Sequence, residues 1–307
     1  MDKLDISCYF KDLQNRIVLG LEDLDGSAKF VEDIWQRKEG GGGITKILQN
    51  GSVFEKGGVN FSEVEGFAPK ELLSTLEVSL DQNTPVSFYA TGISIVMHPD
   101  NPMVPIIHMN VRYFELKNDV GMITNWFGGG IDLTPHYISN PEASFFHKQL
   151  KKTCDLHDPT YYPKFKEWAD NYFYIKHRKE TRGIGGIFFD RLTALDNNSF
   201  SRLFDFVKSV GECFLPTYTS IVNVKKGEKY DSDQKLWQKI RRGRYVEFNL
   251  VYDRGTTFGL QTNGRTESIL MSLPQDASWF YDFKTEIGSA EEATLKSLSK
   301  GVDWINK

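Results

Sequence analysis

Apolar residues at Phe10, Leu13, Ile17, Leu21 and Leu24 recur every three or four positions, a spacing that predicts an amphipathic helix. Val31, Ile34 and Trp35 resume that step beyond an Asp25-Gly26 break, so the first forty residues read as mostly helical. Gly40 to Gly43 are expected to end the helical region, because consecutive glycines hold helical order at high entropic cost. The pattern then changes. Residues 86–97 and 104–116 are rich in β-branched and aromatic side chains, and His98-Pro99-Asp100-Asn101-Pro102-Met103 between them is turn chemistry, which predicts a β-hairpin. Further strands are expected near 121–127, 184–190, 244–252 and 256–262, the last two joined by Asp253-Arg254-Gly255 as a second hairpin. Helical spacing returns over 141–181, 199–242 and 285–304. Strand pairs separated by helical blocks give an α+β fold with a mainly antiparallel sheet. With no linker or repeat to divide residues 1–307, a single domain is expected.

Composition narrows the function. The 307 residues carry a formal charge of −4, which argues against a nucleic-acid binder with its basic face. The three cysteines, Cys8, Cys154 and Cys213, form no CxxC pair, so neither a disulfide framework nor a zinc-thiolate site is indicated. The N-terminus lacks the features of a secretory signal or transit peptide, and no apolar run reaches the roughly 20 residues of a membrane span. A cytoplasmic location is the expectation. The 26 glycines and the many aromatic residues stand out, since aromatics supply bulky flat surface and glycines let backbone or ligand approach closely. GGGGITKIL lacks the Gly-Lys-Ser/Thr of a phosphate loop, and no dinucleotide motif is present.

The candidate chemistry begins in the 104–116 strand. Its even positions read Ile106, His108, Asn110, Arg112 and Phe114, and its odd positions are mainly apolar. A pleated strand projects the imidazole, amide and guanidinium to one side. With the turn centred near Asn101, Ser94 is expected opposite His108, with Gly92 beside it and His98 at the rim. Such donors suit a carboxylate, which Arg112 can hold bidentately; an ordinary solvated sheet face is the other reading. Downstream, Asn125-Trp126-Phe127-Gly128-Gly129-Gly130-Ile131-Asp132 sets two aromatics and three glycines before one acid. Asp132 either serves ligand N–H groups or a proton transfer, or simply caps a turn. Asn263-Gly264-Arg265-Thr266 offers a second anion anchor, or an ordinary helix start led by Thr266. The six histidines form no metal-binding motif and also fit as packed or solvated residues.

These segments resemble the oxygen-dependent coproporphyrinogen III oxidase family. The matching stretches include WQRKEGGGGITKILQNGSVFEKGGVNFSEVEG, PIIHMNVRYFE, NWFGGGIDLTP, KETRGIGGIFFD and GRYVEFNLVYDRGTTFGLQTNGRTESILMSLP, in family order across most of Trp35 to Pro274. The resemblance implies a homodimer whose subunit is a large flat antiparallel sheet with helices on both faces, with its dimer contact at about 243–278. It implies that two propionates of coproporphyrinogen III become vinyls, with O2 consumed and protoporphyrinogen IX, CO2 and hydrogen peroxide formed. It carries substrate contacts onto Ser94, Asn110, Val111, Arg112, Asn263, Gly264 and Arg265. His108 becomes a proton donor, Asp132 the acid that engages pyrrole N–H groups, and Arg112 a catalytic clamp. No cofactor is required beyond O2 as co-substrate, and no metal site is assigned; some relatives are described with a divalent metal such as manganese on positions matching His98, His108, His147 and His177. The competing class is a non-catalytic tetrapyrrole or polycarboxylate binder. An oxygen-independent radical enzyme would need a three-cysteine cluster motif that Cys8, Cys154 and Cys213 do not supply.

Overall fold

The computed structural model describes residues 2–69, 72, 73, 76, 85–261 and 264–307. Its centre is a seven-stranded antiparallel sheet in the order β1 (Val31–Gln36), β2 (Gly41–Gln49), β3 (Phe54–Phe67), β4 (Ser87–Pro99), β5 (Ile106–Asn118), β6 (Gly121–Thr134) and β9 (Gly185–Leu192). β7 (Tyr174–Ile175) and β8 (Glu180–Thr181) form a separate two-stranded ribbon. The α+β expectation holds.

Helix α1 (Lys3–Asp25) follows the predicted period, with Asp2 capping its first turn and Gly26 (φ 79°) ending it in the left-handed conformation. The helix does not resume: residues 31–36 are edge strand β1. Val31 and Ile34 are exposed there, so their three-residue step reflects chance spacing on a strand and not a buried helical stripe. Gly40 (φ 126°) lies in the β1–β2 turn, and Gly41 (φ 76°), Gly42 and Gly43 open β2. β2 and β3 lay outside the expected elements altogether. Their run of Gly, Lys and Asn among apolar residues hides the alternation that places Val59 and Phe61 in the core.

The first hairpin is present as β4 and β5, but Ser94 pairs with Asn110, and Val96 faces His108. That corrects the expected register by two residues, which keeps every side chain on its predicted face. Residues 244–252 and 256–261 are not a hairpin, and residue 262 lies outside the described residues. Helix α5 (Ser232–Val251), started by an Asp231 capping box, runs through Gly243 and buries Trp237, Ile240, Tyr245 and Phe248 at helical spacing. Gly243 marks close approach: an added Cβ would lie 2.9 Å from the Ser278 carbonyl oxygen. Helix α6 (Arg254–Gln261) and the short α7 (Thr266–Leu270) follow. The 141–181 block divides into α2 (Asn140–Asp155) and α3 (Tyr161–Tyr172), then the β7–β8 ribbon. Residues 199–242 become α4 (Asn197–Lys225) and the start of α5, and 285–304 holds only α8 (Ala290–Ser297).

The two sheet faces differ. Ile93, Ile95, Met97, Ile107, Met109, Val111, Ile131, Ile187 and Phe189 face a continuous core shared with α1, α2 and α4. The opposite face packs against α5 mainly where Val96, Ile106 and Tyr245 meet and where Phe173, Phe188 and Phe248 cluster. Ser94 of β4, His108, Asn110 and Arg112 of β5 and Asp132 of β6 lie on this second face.

Candidate active site

Strand registers set a polar rank straight across the second face. Asp33 pairs with Thr45, Thr45 with Asn60, Asn60 with Ser94, Ser94 with Asn110, and Asn110 with Gly130. The rank on one side contains Gly43, Ser62, Gly92, Arg112 and Gly128; that on the other contains Gly58, Val96, His108, Asp132 and Gly186. Ser94, Asn110, Arg112, His108 and Asp132 are therefore brought together on one face, as the alternation in the sequence predicts. Val111, a predicted contact, points its side chain into the opposite core and is fully buried. Only its backbone can serve a ligand on the second face.

Asp132 is no turn cap. It lies within β6, 1% exposed, opposite His108. Its Oδ1 accepts from His108 Nδ1 at 2.8 Å, and both of its oxygens accept from Arg182 Nη2 at 2.8 Å. Burial alone would push this carboxyl up, but the Arg182 charge and the His108 contact outweigh it and hold Asp132 below the ordinary carboxylate range. An ionised carboxylate only accepts, so the imidazole proton is fixed on Nδ1, leaving Nε2 as the nitrogen that can take up another proton. His108 is partly exposed and is the accessible end of the chain.

Arg182 escaped the sequence reading. Its guanidinium is fully buried between the rings of Phe173, Tyr245 and Phe248, at 4.5, 4.5 and 4.6 Å, and Nη1 donates to Asn249 Oδ1 at 3.0 Å. Phe173 also sets its edge against the His108 ring. A lone arginine just before Gly183-Ile184-Gly185-Gly186 was the available signal, but these partners come from the residue that follows α3 and from α5, and are invisible to local spacing.

Arg112 lies over Trp126 at 5.6 Å; Nη1 donates to Asn110 Oδ1 and Nη2 to Asp190 Oδ1, each at 2.7 Å. Arg265, at the start of α7, donates to Asp33 on β1 and, at 3.0 Å, to Ser268 Oγ. Both predicted anchors thus hold acids of the chain, and Asp190 and Asp33 were missed because each sits on a strand far from its partner in sequence. Gly264 is described beside Arg265; Asn263 lies outside the described residues.

The glycines serve differently from the expectation of open clearance. A Cβ on Gly128 would lie 2.7 Å from Asp190 Oδ1 and 2.9 Å from Arg112 Nη2, so this glycine seats the ion pair against the sheet. Gly129 faces the core and the Phe189 ring, and Gly264 packs on the Gly259 carbonyl. Gly92 faces Arg112 across the strand pair.

The four histidines that match the metal positions described in some relatives have separate partners. His98 is buried, not at the rim, and bonds to the Ser272 carbonyl at 2.8 Å. His147 sits on α2 with both ring nitrogens engaged, by Tyr162 and by the Ile184 carbonyl. His177 is held by Tyr252 and Glu247. Among the described residues no group of three or more His, Cys, Asp or Glu side chains is placed to hold a metal ion. This donor set does not fit a shared metal centre.

The second face of the sheet thus carries a buried aspartate joined to an accessible histidine and to Arg182, with Arg112 further along β5. The coproporphyrinogen III oxidase family model matches residues 5–304, and the chain belongs to that family. It is 49% identical over 301 residues to the oxygen-dependent coproporphyrinogen-III oxidase, chloroplastic, of Glycine max, spanning 96% of this chain and 77% of that protein. The Drosophila melanogaster oxygen-dependent coproporphyrinogen-III oxidase is 50% identical over 281 residues, spanning 90% and 71% of the two chains. The mitochondrial enzyme of that name from Rattus norvegicus is 48% identical over 309 residues, spanning 99% and 69%.

Proposed function

We propose that the chain is an oxygen-dependent coproporphyrinogen III oxidase, converting two propionates of coproporphyrinogen III to vinyls on the way to haem. The observation that carries this reading is the His108–Asp132–Arg182 chain set beside Arg112 on one face of the sheet of a family member. At each propionate a hydride equivalent leaves the β-carbon, the carboxylate departs as CO2, and O2 with one proton takes up the hydride as hydrogen peroxide. Arg112 and Arg265 hold carboxylates, Ser94 and Asn110 offer side-chain polar contacts, and Val111 and Gly264 offer backbone ones; Asn263 is assigned to the same substrate set from the family resemblance alone. Asp132 is too buried to meet the pyrrole N–H groups itself; as an ionised acceptor it fixes the His108 proton on Nδ1, so that demand falls on His108 Nε2, which moves the proton. The protein supplies orientation and charge, and O2 the oxidising power, so no resident cofactor is needed.

A homodimer with its contact across about 243–278 belongs to the same proposal, supported by the exposed apolar side chains of Leu250, Val251 and Leu260 in that stretch. Light scattering in solution tests it. A cytoplasmic location is supported by three cysteines that are all free. Among the described residues no helix is long and apolar enough to cross a membrane.

The deciding experiment is aerobic incubation of chelator-treated protein with coproporphyrinogen III, followed by porphyrin fluorescence after oxidation. Protoporphyrin should accumulate with one equivalent of hydrogen peroxide per vinyl. Binding with no turnover would establish the non-catalytic alternative, and turnover restored only by Mn²⁺ would establish a metal requirement.

A further inference from the structure

The site contains two kinds of ion pair. Asp132 and Arg182 are each 2% exposed at the side chain and have no room to trade partners. Arg112 and Asp190 are 31% and 14% exposed, and their contact lies across Gly128 beside the polar rank. Both terminal nitrogens of Arg112 are engaged, one by Asn110 and the other by Asp190. A ligand carboxylate that takes the Nη2 donor now held by Asp190 replaces it.

The two partners are not equally free to move. Arg112 is held from below by Trp126 and from the side by Asn110, so it keeps its place without Asp190. Asp190 has a second arginine close by: Arg254 Nη2, on α6, stands 3.7 Å from its other oxygen. It can release Arg112 without becoming an unpaired, largely buried charge, the outcome that makes breaking buried pairs so costly.

We infer that Asp190 is an exchangeable resident carboxylate: it neutralises Arg112 until a ligand carboxylate takes its place, shifts toward Arg254 meanwhile, and returns once that carboxylate is gone. This rests on the proposed reading of Arg112 as a carboxylate clamp. Under that reading the reaction turns a held anion into a neutral vinyl group, and Asp190 re-pairs with the arginine the product no longer occupies. The residue thereby raises the selectivity of release, because only a ligand still carrying a carboxylate at that position competes with it.

The test is equilibrium binding of coproporphyrin III, a tetracarboxylate, and protoporphyrin IX, a dicarboxylate, read by quenching of tryptophan fluorescence. Asp190→Asn should bind the tetracarboxylate about fivefold more tightly, the scale of one partly exposed pair. The dicarboxylate should gain less. Asp190→Ser, which cannot reach Arg112, should match or exceed that gain, with folding checked by circular dichroism. In an Arg112→Ala background the gain should vanish. Unchanged or weaker binding by both Asp190 variants, while Arg112→Ala alone weakens binding, overturns the exchange and leaves the clamp standing. If Arg112→Ala leaves binding unchanged, the clamp reading fails and the exchange fails with it.

Discussion

Asp132 and His108 face each other directly across β5 and β6, with Oδ1 and Nδ1 2.8 Å apart, while the same carboxylate is held from behind by Arg182. One acid thus serves an accessible imidazole and a buried cation at once. Asp132→Asn should therefore fail twice. Removing one member of a buried pair costs about 3 to 5 kcal/mol, so the melting temperature should drop by several degrees. The folded fraction should bind substrate with nearly normal KM but turn it over far more slowly. A raised KM with normal kcat would contradict the role.

Arg112→Ala should do the opposite. Its fork is partly exposed, so stability should change little. KM for coproporphyrinogen III should rise by on the order of tenfold or more, the scale of lost hydrogen bonds to a charged group. Steady-state kinetics beside thermal unfolding separates the two effects, and a loss confined to kcat would count against the clamp.

Glycine substitutions should divide by what the new methyl meets. At Gly186 a Cβ would lie 2.0 Å from the Ile131 carbonyl oxygen, which is sheet backbone and cannot give way. Gly186→Ala should abolish soluble, cooperative folding. At Gly128 the obstacles are the tips of Arg112 and Asp190, both flexible, so Gly128→Ala should fold and melt normally while its affinity for the tetracarboxylate changes. A normal melting curve for Gly186→Ala would show that the sheet relaxes there.

Acid should weaken the fold before the carboxylates titrate. Burial lowers His136 to about 3 and His147 to about 4, and pushes His98 well below its ordinary value, helped in His98 and His136 by the Arg242 charge. In the unfolded chain each would take up a proton near pH 6.5, the ordinary histidine value, so the unfolded state binds more protons below that pH. Stability is therefore complete above about pH 6.5 and declines as pH falls toward 4. The loss should be on the order of 1 kcal/mol per histidine at about pH 5.5. Melting temperatures between about pH 7.5 and 5 measure it, and His147→Gln should flatten the slope. A melting temperature independent of pH over that range would rule out all three as neutral residues.

Where the chemistry lay within one strand, the sequence made it legible. His108, Asn110 and Arg112 share a face because side chains alternate, and the two-residue correction to Ser94 preserved that face. Where alternation was blurred, it failed: β1 mimicked a helical step, β2 and β3 hid among glycines, and Gly243 looked like a break within a continuous helix. The missed partners share one property. Arg182, Asn249, Asp190 and Asp33 reach their contacts over separations of 50, 67, 78 and 232 residues, and local pattern carries no record of such pairs.

The strand order carries a consequence for how the site comes into being. β1 to β6 pair strictly with their chain neighbours, yet β9 joins β6 only after two helices and the β7–β8 ribbon have intervened. Arg182 lies three residues before β9 and Asp190 lies on it, so both ion pairs depend on the strand with the longest loop to close. A chain that has formed only its first six strands carries His108, Asp132 and Arg112 in place but uncompensated. On this topology charge balance in the site is expected late in folding, and faults in β9 docking should appear as lost activity before they appear as lost sheet.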